Sequence, residues 1–197
     1  MKQNYLPTCL LLLSLATAQV TVAASSEPEI PHHDLDWEVV AELDQAPGNL
    51  TVTPEGRIFV SVHQHFSPDL RMAEVDPEDS TRLIPFPNEP MAMDDRDAAL
   101  ALNSVLGVQT DREGVVWMLD NAMRGGEVAK LVGWKPDADG GQLHKVIYLP
   151  EPAVQPDPFL NDLAVDNARE TIYIADTSRA GRPALIVVDT ATGLARR

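Results

Sequence analysis

Apolar and polar residues alternate along this chain in short runs, and these runs predict β-strands separated by turns. In the middle of the sequence, Val105–Thr110 is an apolar run, Asp111–Gly114 is a turn by composition, and Val115–Leu119 is β-branched and aromatic. The same order of strand, turn and strand occurs upstream at Asn49–Ser61 and downstream at Asn161–Asp176. The chain therefore contains an internal repeat.

The spacing of the repeat predicts a fold class. If Val52, Val108 and Val165 are equivalent, successive copies lie 56 and 57 residues apart, and Val75, Val132 and Val188 keep the same period in the third strands. Two further strands are predicted after each hairpin: 70–75 and 81–86, then 129–134 and 142–149, then 184–189 and a last strand that stops at Arg197. Four short antiparallel strands in about 56 residues are typical of a β-propeller blade.

We therefore predict an all-β protein that contains about three four-stranded propeller blades, at 49–87, 104–149 and 160–197. An alternating segment at 37–43 precedes the first blade, and it is predicted to be the outer strand of the last blade, which closes the ring. Three blades leave raw edges and an open core, so the sequence is expected to be a fragment of a longer reading frame. A dimer of half-rings and a non-closed stack of sheets are the alternatives.

The first 36 residues are predicted to lie outside the propeller. Residues 1–24 have a positive start, an apolar stretch at Leu10–Ala18 and small residues at Val22–Ala24, which together predict a cleaved signal peptide. The apolar stretch is shorter than the roughly 20 residues of a membrane span. Residues 25–36 are predicted to be an extended arm. The lone cysteine, Cys9, would be removed with the signal, so we expect a secreted or periplasmic protein without disulfides or membrane anchor.

Charge narrows the choice of partners. The formal net charge of −15 leaves no basic stripe to neutralise phosphates, which argues against nucleic acid and anionic membrane surfaces. The same charge is compatible with cationic ligands, although solubility alone is the more ordinary reason for acidity.

Several stretches carry a resemblance to a known family. They are Ser104–Asp111 with Val116–Asp120, Gly133–Asp139 with His144–Pro150, Phe159–Asp166 with Tyr173–Thr177, and Ala184–Gly193. From about Trp37 to its end, the chain resembles the major royal jelly protein / Yellow family of secreted six-bladed β-propellers. The resemblance implies roughly three more blades after Arg197. Some insect members catalyse dopachrome-type conversion, and others are storage or amine-binding proteins. Animal members also carry cysteines that this chain lacks.

The expected propeller has a central funnel, and ligands of propellers bind there, at one end of the innermost strands. This position indicates which residues are candidates for ligand binding. The polar residues that open those strands are Asn49, Ser104, Asn161 and Asp162. The segment Asn161–Asp166 is also similar to one in regucalcin-like gluconolactonases, where Asn and carboxylate oxygens hold a divalent cation. This second resemblance implies Ca²⁺, Mg²⁺ or Mn²⁺ at Asn161 and Asp162. The glutamate that the pattern needs in the first blade is absent, and both residues could instead satisfy backbone groups at a strand start.

Other polar residues are given structural roles. His63 and His65 would share one face of a strand, but zinc needs at least a third protein ligand. Five aspartates that end or follow strands are expected to bond turn amides: Asp111, Asp120, Asp166, Asp176 and Asp189. Trp117 and Tyr173 are expected to be equivalent positions in the core between blades.

The function expected from the sequence is that of an exported Yellow-like propeller that binds a small organic ligand in its funnel, with catalysis left open. The alternatives are a divalent-metal-dependent hydrolase of the lactonase type and a structural or storage protein. The sequence contains no Gly-rich phosphate loop, Gly-x-Ser-x-Gly elbow or nucleophilic cysteine that would indicate another chemistry.

Overall fold

The computed structural model describes residues 37–62, 64–93, 100–123, 128–178 and 181–197. The predicted signal peptide at 1–24 and the arm at 25–36 lie outside the described residues. The chain from Val39 to Arg197 forms one compact unit.

The described part of the chain is built from three four-stranded antiparallel sheets, each with its strands in sequence order. Sheet 1 contains β1 (Pro47–Val52), β2 (Ile58–Val62), β3 (Met72–Val75) and β4 (Leu83–Pro85). Sheet 2 contains β5 (Val105–Thr110), β6 (Val116–Asp120), β7 (Lys130–Lys135) and β8 (Gln142–Tyr148). Sheet 3 contains β9 (Leu160–Asp166), β10 (Thr171–Asp176), β11 (Ala184–Asp189) and β12 (Ala195–Arg196). A four-residue helix, α1 (Glu89–Ala92), and 3₁₀ turns at Gln64–Phe66 and Asn167–Arg169 complete the described elements. The predicted all-β class with three four-stranded sheets is confirmed.

Two apolar cores hold the sheets together. Phe59 and Met72 of sheet 1 pack with Val108 and Met118 of sheet 2. On the other side of sheet 2, Trp117 and Leu131 pack with residues of sheet 3 such as Ile172 and Ile174. Trp117 is thus buried between two sheets, as predicted, whereas Tyr173 is only half-buried and is not part of either core.

The first strands of the three sheets lie side by side, with β5 in contact with both β1 and β9. Side chains connect them, because the first strand of a sheet has one edge without a ladder partner in its own sheet. The Thr51 hydroxyl donates to the Thr110 hydroxyl at 2.9 Å, and the Ser61 hydroxyl donates to the carbonyl of Leu106 at 2.7 Å. On the other side, the Val165 amide donates to the Gln109 side chain at 2.7 Å. The first strands of the three sheets are thereby fixed in their positions along one another.

The strand register corrects the predicted equivalences within the repeat. The three hairpin turns contain equivalent residues with positive φ, which are Gly56, Gly114 and Glu170, and the residues two positions later pair with Val52, Thr110 and Val165 respectively. Val108 is therefore two residues out of register with Val52 and Val165. Val116 and Ile172 are equivalent positions in the second strands. In the third strands, Trp134 pairs with Val116, and Val188 pairs with Ile172. Trp134 is therefore the equivalent of Val188, and the predicted equivalent, Val132, is two residues out of register. Loops of unequal length and bulges change the local spacing, while the average period stays near the predicted one.

The predicted strand at 37–43 is not a strand in the structure. None of the described strands pairs with it, so its backbone forms no ladder. Instead, Ala41 and Leu43 pack on Val60, Ala73 and Val75 of sheet 1. Ala41 and Leu43 therefore cover part of one face of the first sheet.

Candidate functional site

The first strand of every sheet is irregular near its beginning. The register shifts between Pro47 and Asn49 in β1, between Val105 and Val108 in β5, and around Asn161 in β9. Bulges of this kind bend a strand and change the direction in which a side chain points, and they are common next to binding sites. The three irregularities lie near the N-terminal ends of the three first strands. These strands lie side by side, so the irregularities are at the same end of the three sheets, which is called the same edge below.

Two of the predicted residues meet at this edge. The Asn49 side chain donates from Nδ2 to Oδ1 of Asp162 at 3.0 Å, although the two residues are 113 positions apart. Asn49 faces Ser61 in sheet 1, and Asp162 faces Ala175 in sheet 3. The contact therefore connects the first sheet directly to the third, above the inner strand of the second.

A glycine makes this contact possible. A Cβ at Gly107 of β5 would lie 3.0 Å from Cα of Asp162, 3.1 Å from the Asn161 carbonyl oxygen and 3.1 Å from Oδ1 of Asp162. Cβ atoms are rarely this close to neighbouring atoms, so a side chain at 107 would displace β9 by a few tenths of an ångström. The prediction did not include Gly107, but an isolated glycine in a strand pattern is a known sign of close backbone approach.

The pair is partly satisfied by its own backbone. Oδ1 of Asn49 accepts from the Leu50 amide at 2.7 Å, and Oδ1 of Asp162 accepts from the Leu163 amide at 2.8 Å. The alternative structural role for Asp162 at a strand start is thus confirmed. Asp162 is nevertheless exposed, and its Oδ2 accepts no hydrogen bond from the described residues. One oriented carboxylate oxygen is available to a ligand.

The other two predicted residues lie elsewhere. Ser104 is completely buried, its amide donates to Asp120 at 2.9 Å, and its hydroxyl bonds the side chain of Gln64. Asn161 is half-buried at the bulge of β9, and its backbone carbonyl faces Gly107. The structure therefore brings together Asn49 and Asp162, and it places Ser104 in an internal network.

That network is organised by Asp120, a fully buried carboxylate at the end of β6. It accepts from the amides of Asn103 and Ser104 and from Nζ of Lys130, with distances of 2.8 to 2.9 Å. A buried charge needs a partner and several hydrogen bonds, and Asp120 has both. Its role is to fix the start of β5, and the prediction that it bonds backbone amides is confirmed.

Asp176 holds the same position in sheet 3. It accepts from the amides of Phe159 and Ser178 at 3.0 and 2.9 Å, and from Arg197 at 2.7 Å. Burial opposes the charged form, but the hydrogen bonds from Arg197 and from the two amides outweigh it and lower the pKa of Asp176. The start of β9, which carries Asp162, is fixed in this way.

The remaining aspartates of the repeat also behave as predicted. Asp111 accepts from the amides of Glu113 and Val115, and it also accepts from the indole of Trp117 at 2.9 Å. Asp166 accepts from the Arg169 amide, and Asp189 accepts from the Thr192 amide. The guanidinium of Arg169 lowers the pKa of the Asp166 carboxyl. These groups stabilise turns.

The described residues do not form a metal site. They include no group of three His, Cys, Asp or Glu side chains placed to hold an ion. His65 lies in a 3₁₀ turn and not on a strand, so the predicted strand face is wrong for it, and His63 lies outside the described residues.

The architecture defines an all-β protein of three consecutive four-stranded meanders with adjoining first strands. No family model matches the chain, and no curated protein matches it. Among solved structures, it is similar to the extracellular domain of a hybrid two-component system protein from B. thetaiotaomicron, with 14% identity and a TM-score of 0.47. That match covers 87% of this chain and 18% of the other. In the part of the chain that the structure describes, no helix is long and apolar enough to cross a bilayer.

Proposed function

We propose that the protein is an exported β-propeller of the Yellow type that binds a small organic ligand where its inner strands begin. The observation that carries this proposal is the Asn49–Asp162 contact above Gly107, which leaves Oδ2 of Asp162 unpaired by any described residue. Propeller ligands bind at one end of the inner strands, in the funnel around the central axis, and the pair lies at an end of these strands.

The packing of the sheets supports a propeller. The sheets stack face to face in sequence order, and their first strands adjoin, as blades do around an axis. The face of sheet 3 that points away from sheet 2 carries Leu185, which is 56% exposed, and the half-buried Val187 and Tyr173. An apolar face of this kind is what a following blade would cover, and the proposed ring has six blades.

The chemistry of the pair favours an amine as the ligand. Asn49 donates to Asp162 and thereby orients the carboxylate, while Oδ2 presents a negatively charged acceptor to solvent. A protonated amine supplies both the positive charge and N–H donors, and hydrogen bonds of that type are roughly twice as strong as neutral ones. The net charge of −15 attracts such a ligand over longer distances.

The lactonase alternative depends on oxygen ligands for a divalent cation. Asp162 offers one oxygen, but Asn49 turns its amide nitrogen, and not its oxygen, toward Asp162. Asn161 contributes no side-chain contact to the pair among the hydrogen bonds of the described residues. The cation-binding role is therefore the second candidate function.

The proposal is tested by isothermal titration of the purified protein with tyramine, a primary aromatic amine, and separately with CaCl₂, MgCl₂ and MnCl₂. We expect saturable tyramine binding that Asp162→Asn weakens by about tenfold or more, because a hydrogen bond to a charged group is lost. The control is Glu113→Gln, which removes one negative charge from an exposed turn at the opposite edge of the sheets. Equal affinity in wild type and Asp162→Asn would contradict the proposal. Tight cation binding that Asp162→Asn abolishes, without tyramine binding, would favour the lactonase alternative.

A further inference from the structure

A cavity of about 460 Å³ lies between sheets 2 and 3, at the same edge as the Asn49–Asp162 pair but away from the inner strands. It is bounded by the residues after β6, by those before β7 and by the connection from β8 to β9. Neither Asn49 nor Asp162 lines it. Its volume falls in the range of small-molecule pockets, which is roughly 300 to 1,000 Å³.

The floor of the cavity is apolar and belongs to the core between the two sheets. Ala129, Leu149 and Val154 line it, and all three are buried members of that core. Val128, which also lines it, is 48% exposed. The exposed part of Val128 is the apolar surface that a ligand with an apolar body would remove from water, with a gain of hydrophobic free energy.

The charged lining residues are of one sign. Glu151 and Asp157 are exposed carboxylates on the connection from β8 to β9, and the described lining residues include no basic side chain. One guanidinium lies next to the rim, since Arg182 donates to the Pro156 carbonyl at 3.5 Å, so the two carboxylates leave an excess of negative charge. An apolar floor with an anionic rim is complementary to an organic cation, and it disfavours carboxylates and phosphates.

The walls are held in place before any ligand arrives. The Asn121 side chain donates to the Leu160 carbonyl at 3.1 Å and accepts from the Met123 amide at 3.2 Å, which holds the residues from Asn121 to Met123 in place. Across the cavity, the amides of Ala153 and Val154 donate to the carbonyl of Pro150 at 3.1 and 3.3 Å. Pre-organised walls lower the entropic cost of binding.

Two lining residues have a backbone conformation that side chains disfavour. Ala122 has φ of +54° and Asp157 has φ of +56°, and neither is a glycine. Left-handed φ is uncommon for residues with a Cβ, and such residues concentrate at ligand sites. One of these two residues lies on each side of the cavity. Their backbone conformation is an observation independent of the charge of the rim and of the apolar lining.

We propose that this cavity is a second binding site, for a small organic cation with an apolar body, whose body packs on Val128 beside Val154 and whose charge lies near Glu151 and Asp157. The site is separate from the funnel and does not depend on the function proposed above. It recognises charge without requiring N–H donors, because the carboxylates act at an exposed rim.

The probe is benzyltrimethylammonium, which has a positive charge and an apolar body but no N–H donor and so is poorly suited to the Asn49–Asp162 pair. Methyl-resolved NMR of the purified protein should show saturable shifts at Val128, Ala129 and Val154. The double variant Glu151→Gln/Asp157→Asn should weaken binding about fivefold, since two rim charges are lost. The isosteric neutral compound neopentylbenzene should bind more weakly than the cation.

The matched control is Glu113→Gln/Glu78→Gln, which removes two exposed charges from turns at the opposite edge, and it should leave the affinity unchanged. Asp162→Asn should also leave it unchanged, which separates this site from the funnel. Circular dichroism and thermal unfolding establish that every variant is folded. The proposal is overturned if the three methyl groups do not shift, if the rim variant binds the cation as tightly as the wild type, or if the neutral compound binds equally well.

Discussion

Asp162 becomes a candidate ligand residue because of two neighbours, of which the list of polar residues contains only Asn49. Gly107 provides the space for β9 to approach β5, and Asn49 reaches across that space from β1. Asn49 and Asp162 also bond the amides of the residues that follow them. The side chains are therefore oriented by the strands themselves, and only one carboxylate oxygen is left over.

The variant Gly107→Ala tests this arrangement at the scale of one residue. The new Cβ would lie about 3 Å from backbone atoms of Asn161 and Asp162, so we expect the unfolding free energy to fall by about 1 to 3 kcal/mol. Amine binding should weaken as well, because Asp162 moves away from Asn49. Urea denaturation and isothermal titration measure the two effects. Unchanged stability and affinity would show that the close approach is not required.

Single elements are anchored by aspartates that recur with the repeat. Asp120 and Asp176 each end the second strand of a sheet and accept amides from the residues that precede the first strand. Each is also paired with a cation, Lys130 in sheet 2 and Arg197 in sheet 3. In sheet 1, the equivalent position is Val62, which has no carboxylate, and the Ser61 hydroxyl one position earlier accepts from the Asn49 amide within β1.

Asp176 gives a pH dependence with a defined sign. Its pKa is lowered in the folded protein, so the ionised carboxylate contributes stability that is complete above the unfolded-state value near 3.9. That contribution is lost as the pH falls through the lower folded-state pKa. We expect Asp176→Asn to cost about 1 to 3 kcal/mol at pH 7 and to flatten the acid limb of the stability curve.

Urea denaturation between pH 2 and pH 7 measures both quantities. The control is Asp139→Asn, at an exposed turn position where the side chain makes no hydrogen bond among those of the described residues. This change should leave the curve unaltered. An Asp176→Asn curve that runs parallel to the wild type down to pH 2 would contradict the assigned role.

At the scale of the whole molecule, the decisive surface is the second face of sheet 3. Sheet 2 is covered on both faces, and one face of sheet 1 is covered in part by Ala41 and Leu43. Leu185 on sheet 3 is left 56% exposed by the described residues. In the proposed ring, the next blade packs on this face and buries Leu185.

The substitution Leu185→Lys distinguishes a covered face from an open one. If the ring is closed, a charge is placed in an apolar interface, and the loss should be about 2 kcal/mol or more. Tyr148→Lys, at a 55% exposed position on the fourth strand of sheet 2, is the matched control and should change stability by about 0.5 kcal/mol or less. Urea denaturation of both variants decides the matter. Equal and small effects would contradict the proposed ring.

The sequence by itself determined the strands, the turns and the order of the three meanders. These features are local: alternation of apolar residues selects strands, and turn residues such as Gly114, together with Asp111, close the hairpins within a few positions. The structural roles of the repeated aspartates could be predicted for the same reason. The candidates Asn49 and Asp162 were also found, because both stand near the beginning of an inner strand.

Only the tertiary structure decided which candidates meet. The Asn49–Asp162 contact joins residues 113 positions apart, and it depends on bulges that shift the strand register and on a missing side chain at Gly107. The burial of Ser104, and the packing of Ala41 and Leu43 where a strand was predicted, likewise depend on how whole sheets stack. A periodic pattern specifies which residues pair within a hairpin, whereas the height of one sheet relative to the next is set by packing and side-chain contacts between them.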